Sequence, residues 1–200
     1  MADSARLVLA SASPRRRQIL ADRGYRFEVA DPGEVEENVS SASTPEELAV
    51  LKARAKAEAI AVRLKPPFPA LVIGVDTLCA AGSQIVGKPL DRPDAIAILT
   101  RLAGTRHRVI SGMCLWPVSD KGLGTPTLLS DSTWVTMRAV PQAEIEAYVA
   151  TGEADGKAGA YAVQENGDKF VEKIEGSFLN VVGFPLELFE RELPGVLRSH

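Results

Sequence analysis

The chain has few of the residues that mark several large classes of protein. It contains two cysteines and two histidines among 200 residues, and no apolar run approaches the roughly 18 residues of a membrane span. Two cysteines cannot build a disulfide framework, and no cysteines and histidines have the spacing of a zinc site. Cys79 and Cys114 both lie in apolar segments, which predicts buried free thiols.

The chain also lacks an excess of positive charge. Lys and Arg number 23 against 26 Asp and Glu, a formal net charge of -3 at pH 7. Such a chain does not bind nucleic acid through overall basicity, so an anion site has to be a local cluster. The opening residues MADSARLVLASASPRRR have neither the charge order nor the apolar length of a secretory signal. We therefore expect a cytoplasmic protein, with neither nucleic acid nor membrane as a partner.

Strand-like and helix-like segments alternate along the first half of the chain. Apolar runs at 6–10 and 70–82 predict buried strands. Alternating apolar residues at 106–117 and 128–140 predict two strands joined by a hairpin. No internal repeat and no low-complexity segment occurs. The pattern predicts an α/β fold with a mixed sheet, in one domain over residues 1–200.

Two helix starts are marked by their capping residues. Ser13, followed by proline, predicts a helix directly after the first strand. Thr44 and Glu47 form a capping box, which predicts a second helix from Pro45 to about Arg63. Residues at helical spacing predict the inward face of this second helix as Leu48, Leu51, Ala55, Ala59 and Val62.

Three arginines follow the first helix start. A helix N-terminus exposes unpaired N–H groups and partial positive charge, which suits it to hold an anion. Arg15, Arg16 and Arg17 add guanidinium groups that bind phosphate oxygens in pairs. Solvated cations are disfavoured at a helix start, which favours a binding role. Because consecutive helical positions point in different directions, we expect one or two arginines to face a ligand and the third to be exposed.

One acid, Asp76, interrupts the apolar run at 70–82. A buried carboxylate needs a partner, and the carboxyl end of a sheet strand is where open α/β sheets bind ligands. Asp76 there can hold Mg²⁺ or take a proton from water. The alternative is a structural Asp that caps the following turn. Thr77 beside it is either a ligand contact or a β-forming residue.

Several other polar residues carry weaker signals. Lys88 lies in the tight turn VGKP, whereas Lys56 lies on the second helix among other charged residues, where most lysines are solvated. Glu36 and Glu37 lie in a long polar loop, which is either functional or a solvated surface. His107 begins a strand and is expected to be packed or exposed rather than catalytic.

The common nucleotide and hydrolase motifs are absent from the sequence. There is no G-x-x-x-x-G-K-[ST] loop and no G-x-G-x-x-G followed by a strand and an acid. No Ser–His–Asp order stands out either. The arginine-rich helix start and one carboxylate remain, a pairing that suits attack of water on a phosphate with metal assistance.

Four segments, in order, resemble the Maf family of nucleoside triphosphate pyrophosphatases: LASASPRRRQIL, VIGVDTL, VGKPLDRPDAIAILTRLAGTRHRVISG and GKAGAYAVQENGDKFVEKIEGSFLNVVGFPL. The resemblance covers nearly the whole chain. It implies a Maf/ITPase-like fold, with an elongated mixed sheet flanked by helices and a cleft between two lobes, usually as a homodimer. It also implies hydrolysis of a nucleoside triphosphate to the monophosphate and pyrophosphate, with Mg²⁺ or Mn²⁺.

The same resemblance implies roles for individual residues. The catalytic acid of the family falls on Asp76, in the strand-end motif G-x-D-T. The specificity positions fall on Arg15, Thr77 and Gln164. The phosphate-binding and metal-binding positions are matched by Ser11, Arg16, Lys56, Lys88 and Glu37, with Glu37 and Asp76 as metal ligands.

The segment KAGAYAVQ resembles the family branch that acts on dTTP and UTP. The amide of Gln164 can both donate to and accept from a uracil-like edge. The chain departs from the family in QENG, where glycine commonly follows the glutamine, and in SFLNVVGFP, where Tyr and Leu are more usual. The alternatives are a 7-methyl-GTP pyrophosphatase and a non-catalytic regulator of septum formation. The regulator would have no need of a carboxylate facing an anion.

Overall fold

The computed structural model describes residues 5–39, 42–164 and 166–198. Its strands are β1 (Arg6–Ala10), β2 (Phe27–Ala30), β3 (Ala70–Ala81), β4 (Gln84–Val86), β5 (Arg106–Ser119), β6 (Gly122–Leu123), β7 (Thr127–Met137) and β8 (Val171–Glu175). Its α-helices are α1 (Pro14–Asp22), α2 (Pro45–Ala61), α3 (Arg92–Leu102), α4 (Gln142–Ala150), α5 (Phe178–Val182) and α6 (Leu186–Arg198). Short 3₁₀ turns occupy Val35–Asn38, Ala158–Ala160 and Asn166–Phe170.

The eight strands form one mixed sheet. Its order is β2-β1-β3-β5-β7-β8, with β4 paired to β3 and β6 paired to β5. β1 is parallel to both of its neighbours, with Leu9 opposite Val29 of β2 and Ile73 of β3. The pairs β3–β4, β5–β6 and β7–β8 are antiparallel. The mixed α/β fold predicted from the alternation of elements is therefore confirmed.

Helix α2 begins as predicted, but of its predicted inward face only Leu48 is buried, while Leu51, Ala55 and Ala59 are half-buried. Thr44 Oγ1 accepts a hydrogen bond from the Glu47 N–H at 3.1 Å, as a capping box requires. The buried residues of α2 are Pro45, Leu48, Ala49, Ala53, Lys56, Ala57, Ile60 and Ala61, whereas Val62 is 64% exposed. Alanines occur on nearly every face of this helix, so apolar spacing alone did not separate the inner face from the outer one.

The described residues divide into two compact units. The first unit comprises residues up to 76, residues 111–131 and residues from 183 onwards. Its core lies where α2 packs on the sheet and contains Val8, Ala10, Ala53, Ala57, Ile60, Ala61, Val72, Cys114, Trp116 and Val118.

Two glycines allow α2 to lie close against the sheet of the first unit. A Cβ atom at Gly74 of β3 would lie 2.2 Å from the carbonyl oxygen of Ala53. A Cβ atom at Gly112 of β5 would lie 2.1 Å from the carbonyl carbon of Ala49. Neither distance is compatible with a side chain, so glycine is required at both crossings.

The second unit comprises residues 77–110 and 132–182. Its core includes the aromatic pair of Tyr148 and Phe170, whose ring centroids are 5.0 Å apart. A buried amide also links its elements, because Asn180 Nδ2 donates to Val109 O and to Thr133 Oγ1, both at 3.1 Å. The Nδ2 group of Asn180 is thereby paired twice, whereas its buried Oδ1 has no hydrogen-bond partner among the described residues.

Both cysteines are buried and free, as predicted. Burial raises the pKa of the Cys79 thiol and of the Cys114 thiol to about 12. Both thiols therefore stay protonated near neutral pH and behave as small apolar side chains. No helix within residues 5–39, 42–164 and 166–198 combines the length and the apolar character that crossing a bilayer requires.

Candidate active site

A buried cluster of charged side chains lies in the first unit. Lys56 Nζ donates to Asp76 Oδ1 at 2.7 Å and lies 2.8 Å from Glu36 Oε1. The side chains of Lys56, Asp76 and Glu36 are all close to nine-tenths buried. Buried charges of this kind are tolerated when each has a partner, because desolvation is costly. We call these three residues the Lys56 cluster.

The close approach of α2 to β3 places Lys56 on Asp76. Side chains at 74 and 76 lie on the same face of β3, because alternate strand residues share a face. Gly74 has no side chain there and meets Ala53 of α2. Lys56 lies three positions beyond Ala53, hence on the same side of the helix. Most lysines on such a helix are solvated, but Lys56 is turned inward and is 7% exposed; its substrate-binding role stays a prediction.

The acid that completes the cluster comes from the 3₁₀ turn Val35–Asn38. Its Glu36 side chain reaches Lys56, while Glu37 is exposed to solvent. Both acids stand in the polar loop, and the family resemblance implies the metal-binding role for Glu37. The role of Glu37 stays a prediction, and Glu36 is the acid that the structure places beside Asp76. Glu36 and Glu37 are adjacent and of the same residue type, so only the fold of the loop determines which of them contacts Lys56.

The turn between β1 and α1 is held by Arg16. Arg16 Nε donates to Gly183 O at 2.8 Å, and Nη1 donates to Ser11 Oγ at 3.2 Å. The N–H of Ser13 also donates to Ser11 Oγ, at 3.2 Å. Ser11 and Arg16 are both buried. These contacts make both residues part of the framework of the turn.

Electrostatics connect this turn with the Lys56 cluster. Burial lowers the pKa of the Arg16 guanidinium, and the charges of Asp76 and Glu36 raise it, while Arg15 lowers it. Arg16 remains protonated under ordinary conditions, as arginines in proteins do. The charges of Lys56 and Arg16 therefore both act on the carboxylates of Asp76 and Glu36, and Arg15 adds positive charge.

The start of α1 carries no side-chain cap from Ser13. Ser13 occupies the capping position as predicted, but its hydroxyl makes no capping hydrogen bond, and the first turn contains no acid. Arg15 is half-buried and Arg17 is exposed. The expectation that one of the three arginines is exposed is confirmed. The first turn thus presents N–H groups and positive charge, which favours binding of an anion.

Three of the predicted site residues belong to the second unit. Thr77 directly follows Asp76 in β3 and is half-buried. Lys88 and Gln164 are exposed and do not belong to the Lys56 cluster. Lys88 borders a groove of about 400 Å³ that is lined by Gly87, Lys88, Leu90, Asp94, Ala97, Ile98 and Arg101.

The second unit joins the segments that carry Lys88 and Gln164. The N–H of Gly159 donates to Gly87 O at 3.2 Å. Gly87 immediately precedes Lys88, and Gly159 lies five positions before Gln164. The two exposed polar side chains are therefore carried by segments that are hydrogen-bonded to each other.

The donor set of the Lys56 cluster fits a divalent cation that is shared with a phosphate. Asp76 and Glu36 supply carboxylate oxygens, which Mg²⁺ and Mn²⁺ prefer. Within the part of the chain that the structure describes, no group of three or more His, Cys, Asp or Glu could hold a metal by itself. Mg²⁺ is often bound by one or two carboxylates together with substrate phosphates, and two carboxylates are what this cluster offers.

Comparison with known proteins gives a consistent result. Residues 6–196 match the family described as Maf-like protein. A dTTP/UTP pyrophosphatase of Geotalea uraniireducens is 42% identical over 180 residues, covering 90% of this chain and 89% of that protein. Proteins of the same name from Pelotomaculum thermopropionicum and Vibrio cholerae are 41% and 40% identical, each covering 90% of this chain and 91% and 92% of their own.

Among solved structures, a HAM1 protein from Coxiella burnetii has a TM-score of 0.46 at 13% identity, covering 98% of this chain and 100% of that one.

Proposed function

The chain belongs to the Maf-like protein family, and from this premise we propose that it hydrolyses dTTP and UTP to the nucleoside monophosphate and pyrophosphate. The observation that carries the proposal is the buried Lys56 cluster, in which one ammonium group holds the carboxylates of Asp76 and Glu36. The names of relatives about 40% identical supply the substrate class. The positive groups of the β1–α1 turn supply the charge that a triphosphate requires.

The triphosphate is proposed to bind at the start of α1. The N–H groups of the first turn and the half-buried Arg15 offset its charge. Arg16 and Ser11 maintain the shape of the turn through their mutual hydrogen bond. Lys88 is proposed to contact the substrate from the turn after β4. Lys56 is proposed to act on the phosphates indirectly, through Asp76 and Glu36, because its ammonium group already contacts both carboxylates.

Asp76 is proposed to activate the attacking water. Its Oδ1 is engaged by Lys56, so Oδ2 is the oxygen that accepts the proton. The water oxygen forms a bond to the α-phosphorus while the bond from that phosphorus to the bridging oxygen of the leaving pyrophosphate breaks. Fixed positive groups stabilise the charge that develops on the leaving group. Lys56 keeps the carboxylate oriented.

Asp76 and Glu36 are proposed to hold a divalent metal, Mg²⁺ or Mn²⁺, together with the substrate. When bound, the metal would neutralise negative charge on the phosphates. We assign the second carboxylate to Glu36 rather than to Glu37, because the Glu36 side chain lies on Lys56 and that of Glu37 is exposed.

Thr77 and Gln164 are proposed to recognise the base. The Gln164 amide has both a donor and an acceptor, which matches the alternating groups on a uracil or thymine edge. Its exposed position leaves it accessible to a ligand.

We further propose a cytoplasmic homodimer with neither nucleic acid nor membrane as a partner. The formal net charge of -3 supports a local anion site over general affinity for nucleic acid. The two buried thiols fit a reducing compartment. Analytical ultracentrifugation of the full chain tests the dimer.

The test of the proposed function is a panel of dTTP, UTP, CTP, ATP, GTP and 7-methyl-GTP, with pyrophosphate and monophosphate measured together. We expect the highest kcat/KM for dTTP and UTP, with loss of activity in EDTA and recovery on addition of Mg²⁺ or Mn²⁺. Release of inorganic phosphate instead of pyrophosphate would contradict the reaction. A preference for 7-methyl-GTP would contradict the substrate, and absence of any turnover would leave a nucleotide-binding regulator.

A further inference from the structure

The segment from Lys157 to Gln164 is anchored to three separate elements of the second unit. The anchors are the Gly159 N–H to Gly87 O at 3.2 Å, Tyr161 Oη to His107 Nε2 at 2.7 Å, and the Ala162 N–H to Tyr148 Oη at 3.2 Å. Their partners lie in the turn after β4, in β5 and in α4. Gln164, at the end of the segment, is exposed. The anchors therefore order the backbone that leads to the exposed side chain of Gln164.

The backbone between the anchors has an uncommon conformation. Gly159 has φ of 77° and Ala160 has φ of 60°, both in the left-handed region. A residue other than glycine rarely adopts this region and does so when its surroundings hold it there. A Cβ atom at Gly159 would lie 3.1 Å from Cys79 Sγ. The segment is thus pressed against β3 and has little room to rearrange.

The contact between His107 and Tyr161 is the shortest of the three anchors. His107 is 0% exposed and Tyr161 6%, and their rings pack edge to face with centroids 5.6 Å apart. Burial lowers the pKa of His107 to about 4 and raises that of Tyr161 well above 10. Both side chains are therefore neutral at pH 7, and they share a neutral hydrogen bond.

Only one of the two ring nitrogens of His107 has a hydrogen-bond partner among the described residues. Its Nδ1 is buried and has no hydrogen-bond partner there, while its Nε2 meets the Tyr161 hydroxyl. A buried polar atom without a partner costs free energy, which an apolar side chain of similar size would avoid. The hydrogen bond to Tyr161 offsets that cost. An apolar residue at position 107 could not make this bond, and its partner Tyr161 lies in the 157–164 segment that carries Gln164.

We propose that His107 and Tyr161 are positioning residues for base recognition. Their hydrogen bond orders the 157–164 segment before substrate arrives, so that Gln164 does not lose this conformational freedom on binding the base. Neither residue contacts substrate in this scheme. The proposal rests on the proposed function, since it deepens the role of Gln164 in pyrimidine selection.

The first test is Tyr161→Phe, which removes one hydroxyl and keeps the ring that packs against His107. We expect KM for UTP and dTTP to rise about fivefold, the usual consequence of losing one net hydrogen bond, with kcat changed by less than about twofold. The preference for UTP over CTP falls with it. Tyr25→Phe is the matched control: its hydroxyl lies 3.5 Å from Glu190 Oε1 in the first unit, and we expect its removal to alter neither KM nor base preference.

The second test separates positioning from general damage to the fold. In a Gln164→Ala background, Tyr161→Phe should change the UTP-to-CTP preference no further, because residues that act through one another are not additive. His107→Gln keeps an amide, which can donate or accept a hydrogen bond, near the position of Nε2, whereas His107→Leu has no polar group there. We expect the Gln variant to retain more of the wild-type KM than the Leu variant. A purely structural role predicts additive losses.

Amide hydrogen exchange without nucleotide gives a readout independent of activity. Tyr161→Phe leaves Nε2 of the buried His107 unpaired and so lowers the global free energy of unfolding, but exchange at 158–164 should speed up more than exchange at the other protected amides of the second unit. Unchanged exchange there, unchanged base preference in an active enzyme, or additive effects with Gln164→Ala would each overturn the inference alone. A wild-type chain that releases no pyrophosphate from any triphosphate would overturn the proposed function, and this inference would fall with it.

Discussion

Lys56 Nζ lies 2.7 Å from Asp76 Oδ1, although 20 positions of sequence separate the two residues. The ammonium also lies 2.8 Å from Glu36 Oε1. One buried cation therefore sets the geometry of two carboxylates from different elements, β3 and the 3₁₀ turn Val35–Asn38.

Asp76→Asn should abolish turnover while leaving the chain folded. Asn has nearly the same shape, and Lys56 retains Glu36 as an ion-pair partner, so the cation is not left alone. Loss of the general base should lower kcat by about a hundredfold or more. Circular dichroism and pyrophosphate release measure the two effects. Asp120→Asn, at an exposed turn, is the control, and wild-type kcat in Asp76→Asn would refute the role of Asp76.

Glu36→Gln and Glu37→Gln should differ although the residues are adjacent. Glu36 lies on Lys56, whereas Glu37 is exposed. We expect Glu36→Gln to raise the Mg²⁺ concentration needed for half-maximal rate by about tenfold or more, and Glu37→Gln to leave it unchanged. Metal titrations of pyrophosphate release give both values. The opposite result would restore the metal-binding role to Glu37.

Lys56→Met should destabilise the chain more than Lys52→Met on the same helix. Removing the ammonium leaves two buried carboxylates without their shared partner, which typically costs about 3 kcal/mol or more. The charge of Arg16 still acts on both carboxylates, so we expect the loss of stability to be close to about 3 kcal/mol. Lys52 is only half-buried, so its loss should cost about 0.5 kcal/mol or less. Urea unfolding with a common m-value compares the two, and equal midpoints would contradict a structural role of the buried ammonium.

Gly74→Ala should lower both stability and turnover. The added Cβ would lie 2.2 Å from Ala53 O, so α2 has to move away from β3 and carry Lys56 with it. Overpacking of this kind costs about 1–3 kcal/mol and sometimes more. Gly195→Ala is the control, because a Cβ there meets nothing within 4 Å and alanine favours the helix. Thermal unfolding and kcat measure the effects, and a Gly74→Ala chain with wild-type values of both would contradict the close crossing.

His107 should make the chain less stable as pH falls. Its pKa is lowered to about 4 in the folded chain, against 6.5 for an ordinary histidine. Between those values the unfolded chain binds a proton that the folded chain does not, so the free energy of unfolding decreases as pH falls from 6.5 towards 4. His107→Leu should lose this part of the pH dependence. Thermal unfolding at several pH values compares the two chains, and identical slopes would contradict a buried neutral imidazole.

Local signals in the sequence were sufficient for the elements that frame the site. The capping box at Thr44 and Glu47 acts between neighbouring residues, and the structure contains its hydrogen bond. The apolar run that contains Asp76 is β3, as predicted, but Asp76 lies in the middle of this strand and not at its carboxyl end. The four quoted segments identified the family, and the match over residues 6–196 confirms it. These features depend on residues close together in the chain or on motifs that can be read directly.

The orientation of side chains within those elements was decided by tertiary contacts. The sequence placed Lys56 on a helix, but the missing side chain at Gly74 decided that this lysine faces the sheet. The sequence placed Arg16 at the helix start, but tertiary contacts decided that its Nε donates to Gly183 O, 167 positions away, and its phosphate-binding role stays a prediction.

The sequence by itself determined the mixed α/β fold, the helix starts, the family and the residue types of the site. Only the tertiary structure decided that Glu36 rather than Glu37 meets Lys56, and that His107 meets Tyr161, 54 positions away. The physical reason is that a hydrogen bond forms only when donor and acceptor atoms lie about 3 Å apart. Such distances between remote residues are set by how closely helices and strands pack, which no local pattern encodes.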